Sequence, residues 1–177
     1  MLDSLTTGAR RALLHLAALA ALAVAALAPQ AASAQALTDF AENRIIDALF
    51  RGQALGAPAT WWVALYTSAC SDSAAGTEVT GGSYARASLG ASLANWAGTQ
   101  SAGSTTASSG TGGQTSNNTV INFATPTANW GVVTHIGLVD ASTAGNVWVC
   151  VALGASRTIE SGNTVSISAG ALTVTLQ

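Results

Sequence analysis

The residues able to do acid, base, nucleophilic or metal chemistry are few and scattered. Beyond residue 34 one histidine remains, His135, in the run Thr134-His135-Ile136-Gly137-Leu138. A Ser-His-Asp relay would have to use it, with Asp140 or Asp72 as the orienting carboxylate. A histidine in an alternating apolar run is more often structural or exposed than catalytic. A two-carboxylate site would draw on Asp72, Glu78, Asp140 and Glu160, all of which read as turn or strand-end residues. Asp72-Ser73-Ala74 lacks the dense alternating oxygen ligands of a calcium loop. Neither a nucleophile elbow, nor a phosphate-binding loop, nor a Cys-x-x-Cys pair occurs. No catalytic residue, cofactor or metal is expected.

Two other residue types carry information. Cys70 and Cys150 are the only cysteines. In an exported protein an even count points to a disulfide. Closing so long a loop is worth about 4–5 kcal/mol at most in the chain-entropy account. The alternative is a buried core thiol at Cys150, which falls mid-strand. The five tryptophans are Trp61, Trp62, Trp96, Trp130 and Trp148. Adjacent Trp61 and Trp62 must point to opposite faces of a strand. Core packing accounts for most of them, and an exposed one would suit a subunit interface or a glycan platform.

The elements that must position these residues are predominantly β. Charged residues make up 8% of the 177, no lysine occurs, and the net charge is −2. That composition is usual for secreted or fibrous β proteins, unlike an average soluble domain with about 25% charged residues. It gives no basic footprint for nucleic acid. The stretch Thr60–Leu89 sets the pattern, with an apolar run Trp61–Tyr66, a small-residue loop, and a second alternating run. About eight strands follow from the alternation: 60–67, 83–89, 91–96, 119–123, 134–140, 146–153, 164–168 and 171–176. Ala144-Gly145 and Ala169-Gly170 read as tight hairpin turns. Short strands with Gly-rich turns predict a mainly β fold, an antiparallel β-sandwich of Greek-key or jelly-roll type. Gly98–Asn118 has no charge and only two apolar side chains, both alanine, so it is expected to be an exposed, mobile loop. Asn117-Asn118-Thr119 fits a glycosylation sequon.

Upstream of the β domain the chain looks built for delivery and attachment. Arg10-Arg11, the apolar run Ala12–Ala28, Pro29 and Ala32-Ser33-Ala34 have the layout of a signal peptide over 1–34. An uncleaved anchor or a misplaced start are the alternatives, and a membrane contact is expected only through this leader if it is retained. Residues 35–59 are expected to hold one amphipathic α-helix and a connector, with 60–177 as the β domain. In Leu37–Arg51, Leu37, Phe40, Ala41, Ile45, Ala48 and Leu49 recur at helical spacing, and Ile46 and Phe50 widen the apolar face. Thr38 is placed to cap it and Gly52 to end it. That face can pack on the chain's own sheet or dock on a neighbour. Phe40, Ile45, Ile46, Leu49, Phe50, Trp61 and Trp62 are the candidate interface residues.

From Leu37 onward the chain resembles a family of small bacteriophage tail fibre or minor virion structural proteins. The residues that carry the resemblance are Leu37-Thr38-Asp39 with Glu42-Asn43, and Leu49-Phe50-Arg51-Gly52. Trp62–Thr67, Gly76-Thr77-Glu78-Val79 and Gly81-Gly82-Ser83-Tyr84-Ala85-Arg86 follow. Trp130-Gly131, Thr134–Gly137, Gly170 and Leu172–Leu176 complete the set. The resemblance implies a β-rich virion subunit without enzymatic activity. Its expected partners are further copies of itself or other virion and tail proteins, with a cell-surface glycan as a further candidate. The leader departs from the family pattern and offers a second expectation, an exported subunit of an extracellular filament or adhesin. A secreted carbohydrate-binding domain is the third. The expected location is therefore extracellular or the virion.

Overall fold

The structure is a computed structural model describing residues 37–98, 107–109 and 112–176. The leader expected over 1–34 lies outside the described residues. The described chain is mainly β, with antiparallel sheets and one helix. Helix α1 is Asp39–Phe50. The strands are β1 (Thr60–Tyr66), β2 (Ala87–Gly90), β3 (Gln114–Ser116), β4 (Ile121–Asn122), β5 (Gly131–Val139), β6 (Val147–Ile159), β7 (Ser166–Ile167) and β8 (Thr173–Thr175).

Strands β2-β1-β5-β6 form a four-stranded sheet in that order, and β3-β8 and β4-β7 form separate two-stranded ladders. In the large sheet Val63 pairs with Leu138 and Leu65 with Ile136, and these pair on with Val149 and Val151 of β6. The period of two therefore places Val63, Leu65, Ile136, Leu138, Val149 and Val151 on one face. That face shares one core with Ile121, Val165, Ile167, Leu172 and Val174 of the two small ladders. Leu65, Ile136, Ile159, Ile167 and Leu172 are almost wholly buried, each contributing about 1.5–3 kcal/mol of transfer free energy. The opposite face carries a smaller cluster of Ala64, Tyr66 and Val139, with Trp62, Cys70 and Val147 against it. Trp61 belongs to the main core and Trp62 to this second cluster, as strand alternation requires. The Tyr66 ring lies over Gly137, where an added Cβ would come within 2.5 Å of it.

Several expected strands are corrected. Residues 83–86 are not extended into β2, because Gly81, Gly82 and Ser83 all adopt left-handed φ values of 73°, 54° and 62° and make a turn. Residues 91–96 are also a turn, with the Asn95 and Trp96 N–H groups both bonded to the Ser92 carbonyl. Ala91-Ser92-Leu93-Ala94-Asn95 holds no β-branched residue to oppose that. Ala169-Gly170 does not join a hairpin, since β7 pairs with β4 and β8 with β3. Part of the loop expected over 98–118 is strand β3, whose three residues pair with Thr173–Thr175. β6 runs well past Leu153, and a register shift between Val133 and His135 absorbs its extra residues. Ala144-Gly145 does turn the chain between β5 and β6, with φ values of 52° and 78°.

Candidate functional site

The candidate chemical residues are not brought together. His135 Nδ1 lies 2.9 Å from the hydroxyl of its neighbour Thr134, and burial pushes its pKa down. Asp140 accepts from the Asn146 backbone at 2.7 Å, from Asn146 Nδ2 at 2.9 Å and from Trp148 Nε1 at 3.2 Å. Burial alone would raise its pKa, but these donors hold it below the usual carboxylate range. Its work is to tie the β5–β6 hairpin. The Asp72 carbonyl receives the Asp39 N–H at the start of α1, and the Glu160 N–H is held by the Asn163 side chain. Among the described residues no group of three or more His, Cys, Asp or Glu is placed to hold a metal ion.

The Gly-Thr-Glu-Val and Gly-Gly-Ser-Tyr-Ala-Arg motifs resolve into one polar staple. Glu78 receives Arg86 Nε at 2.8 Å on one oxygen and Arg86 Nη2 at 2.7 Å on the other, a bidentate pair. Tyr84 Oη donates to Glu78 at 2.9 Å and accepts the Leu65 N–H of β1 at 2.9 Å. Arg86 Nη1 reaches the carbonyls of Ala141 and Ala144 at 2.6 and 2.7 Å, so the guanidinium also grips the β5–β6 hairpin. Trp130 Nε1 donates to the Gly82 carbonyl at 2.9 Å and its ring meets Tyr84 edge-on at 5.2 Å. Burial works to raise the Glu78 pKa, but the Arg86 and Tyr84 hydrogen bonds and the Arg86 charge outweigh it and leave it lowered. Burial is also the main cause that pushes the Tyr66 hydroxyl, close to the same charges, up to about 12. The Glu78, Tyr84 and Arg86 side chains of the motif are all engaged in bracing the fold. Glu78 reads in sequence as a strand-end residue, and the convergence depends on Tyr84, Arg86 and the β5–β6 hairpin meeting it in space.

Asn117 was singled out only as part of a sequon, and it is wholly buried. Its Nδ2 donates to the carbonyls of Thr119 and Ser168 at 2.8 and 2.9 Å, and its Oδ1 accepts the Leu172 N–H at 2.8 Å. A side chain so enclosed has no free amide for a glycan. Cys70, from the loop after β1, is bonded to Cys150 of β6, with Cα atoms 6.4 Å apart, within the range a disulfide spans.

The surface features with interaction chemistry are at α1 and beside it. Thr38 caps the helix by accepting the Ala41 N–H at 3.4 Å, and its own N–H and hydroxyl bond the Trp148 and Val147 carbonyls. Phe40 meets Trp148 edge-on at 5.4 Å, and Trp148 meets Trp61 at 5.7 Å. This pins the N-terminal half of α1 to β6, with Ala41 buried and Ile45 half-buried. The C-terminal half projects away, leaving Ile46, Leu49 and Phe50 exposed at 49%, 71% and 80%. Of the seven candidate interface residues, these three are exposed, whereas Phe40, Ile45, Trp61 and Trp62 are half-buried in the chain's own packing. No tryptophan is exposed. An apolar cavity of about 440 Å³ lies between β6 and the β3–β8 ladder, lined among others by Trp61, Trp96, Trp148, Leu138 and Val174. Among the described residues no helix is long and apolar enough to cross a membrane.

The Glu78, Tyr84 and Arg86 motif braces the fold internally, and α1 presents an apolar end. No curated protein matches the chain. The model of one protein family, described as podophage GP4 fiber I protein gp80, matches residues 36–175. The match covers the helix and every strand, so the chain belongs to that family of phage fibre proteins.

Proposed function

We propose that the chain is a non-enzymatic fibre subunit that joins its assembly through the free end of α1. The observation that carries this reading is the trio Ile46, Leu49 and Phe50, large apolar side chains left in water on one terminal helix. Such a patch is costly unless a partner covers it. An amphipathic helix lays its apolar face into a groove of another chain by its anchors at three- and four-residue spacing. Further copies of the chain or other virion proteins are the natural partners of a fibre family member. Charge presents little obstacle to close packing, because the Asp47–Arg51 ion pair beside the patch is internally neutral. The test is the Leu49→Asp/Phe50→Asp double variant, followed by electron microscopy of particles from a producing culture. Particles should carry the wild-type chain and lack the variant, which should remain folded because both positions are exposed.

A second reading, an exported filament subunit, is favoured by the joined Cys70 and Cys150, since oxidising compartments preserve such bonds. If the bond operates, reduction or Cys70→Ser should lower stability by up to about 4 kcal/mol, given the long loop it closes. Thiol labelling of the native protein with and without reductant reads its state directly. Labelling of both thiols without reductant would remove the support for this second reading.

A further inference from the structure

The β3–β8 ladder has one edge covered and one open. Its phase is fixed by the bonds at its ends, where the Asn117 N–H donates to the Leu172 carbonyl at 3.2 Å and the Leu176 N–H to the Gly113 carbonyl at 2.8 Å. Asn117–Leu172, Thr115–Val174 and Gly113–Leu176 are therefore the hydrogen-bonded pairs, and the residues between them point their N–H and C=O away from the ladder. On the β3 side that outward group is met, because the Ser116 carbonyl accepts the Ala97 N–H at 2.8 Å. On the β8 side the same alternation turns the N–H and C=O of Thr173 and Thr175 outward. Among the described residues none bonds them there, and β3 is the strand that lies against β8. An unpaired edge of this kind is a template for one more strand.

We propose that the edge Thr173–Thr175 pairs with the same edge of a second copy of this chain, antiparallel about a two-fold axis at Val174. The two outward residues stand symmetrically about Val174. Such pairing therefore sets Thr173 opposite Thr175 of the second copy and completes both hydrogen-bonded pairs at once, the self-complementary arrangement of a two-fold dimer. Charge does not oppose it, because no charged side chain occurs after Glu160 and the chain has no lysine to guard the edge. Thr173, Val174 and Thr175 are all β-branched, and Thr–Thr pairs across strands are favourable. Leu176 is 51% exposed and shares a side of the strand with Val174 and Leu172. The pairing sets it beside Leu172 and Val174 of the second copy. A strand of three residues buries less than the roughly 1,000 Å² of a stable interface. The contact is therefore weak between free copies and gains force where other contacts hold copies together. It does not rest on the docking assigned to the end of α1.

The test is sedimentation of the chain over a concentration series up to about 1 mM, where weak contacts populate. Reversible association into dimers is expected, and amide exchange of Thr173 and Thr175, read by NMR, should slow at least about tenfold as the dimer fills. Thr175→Pro removes an N–H that faces away from β3, so the ladder tolerates it, and it should abolish the dimer. Thr173→Lys/Thr175→Lys and Thr173→Glu/Thr175→Glu should each be monomeric, and mixing the two should restore a dimer, which a misfolded variant could not do. Leu49→Asp/Phe50→Asp should dimerise as the wild type does, which separates this contact from that of α1. A monomer throughout the series, or Thr173 and Thr175 amides equally protected at every concentration, overturns the proposal. So does a dimer that survives Thr175→Pro, or one that is lost in Leu49→Asp/Phe50→Asp.

Discussion

At the scale of single residues, the polar side chains of Asn117, Glu78 and Asp140 prove to be braces. Asn117 satisfies one buried N–H and two carbonyls from three segments. Asn117→Ala would leave the Leu172 N–H buried without its acceptor and should cost about 2–3 kcal/mol in chemical denaturation. The same holds for Glu78, whose carboxylate is stabilised by Arg86 and Tyr84. Its folded pKa lies below the ordinary 4.5. A depressed carboxylate adds stability above its unfolded pKa and loses it as pH falls through the folded value. Stability should therefore decline on acidification below about pH 4.5, and Glu78→Gln should flatten that decline in denaturation curves taken across pH. Asp140 is shifted in the same direction and should supply the slope that remains.

At the scale of elements, the legible parts were those governed by local patterning. Helix α1 follows from its apolar spacing and the Thr38 cap, and β1 and β5 follow from period-two alternation. The parts that were not legible depend on contacts distant in sequence. β3 is a polar Gln-Thr-Ser run that becomes a strand because Thr173–Thr175 offers it a ladder. Residues 83–86 have strand-like composition, yet consecutive left-handed residues before them and the pull of Glu78 on Tyr84 and Arg86 make a turn. The Ala169-Gly170 turn was readable as a turn, but not the ladders that its flanking strands join. Gly137 shows how tightly β1 and β5 are fitted, because the Tyr66 ring occupies the space a side chain would need. Gly137→Ala should destabilise by about 1–3 kcal/mol through overpacking, visible as a lower denaturation midpoint at unchanged slope. Of the candidate interaction surface, the apolar face of α1 was legible as a stripe. Which half of it stays free was not, because that depends on the contacts of Thr38 and Phe40 with Val147 and Trp148, far along the chain.

At the scale of the whole molecule, the fold joins a well-packed β body to a helix held at one end. The body explains the family motif as bracing, and the exposed end of the helix is the part we propose for attachment. The low charge of the chain leaves little long-range repulsion to oppose close packing of copies or partners. The most direct test is co-sedimentation of the chain with tail or filament particles from a producing culture, comparing wild type with Leu49→Asp/Phe50→Asp. The account predicts that the wild-type chain pellets with the particles while the folded double variant stays in the supernatant. A wild-type chain that never pellets, or a double variant that pellets equally well, would contradict it.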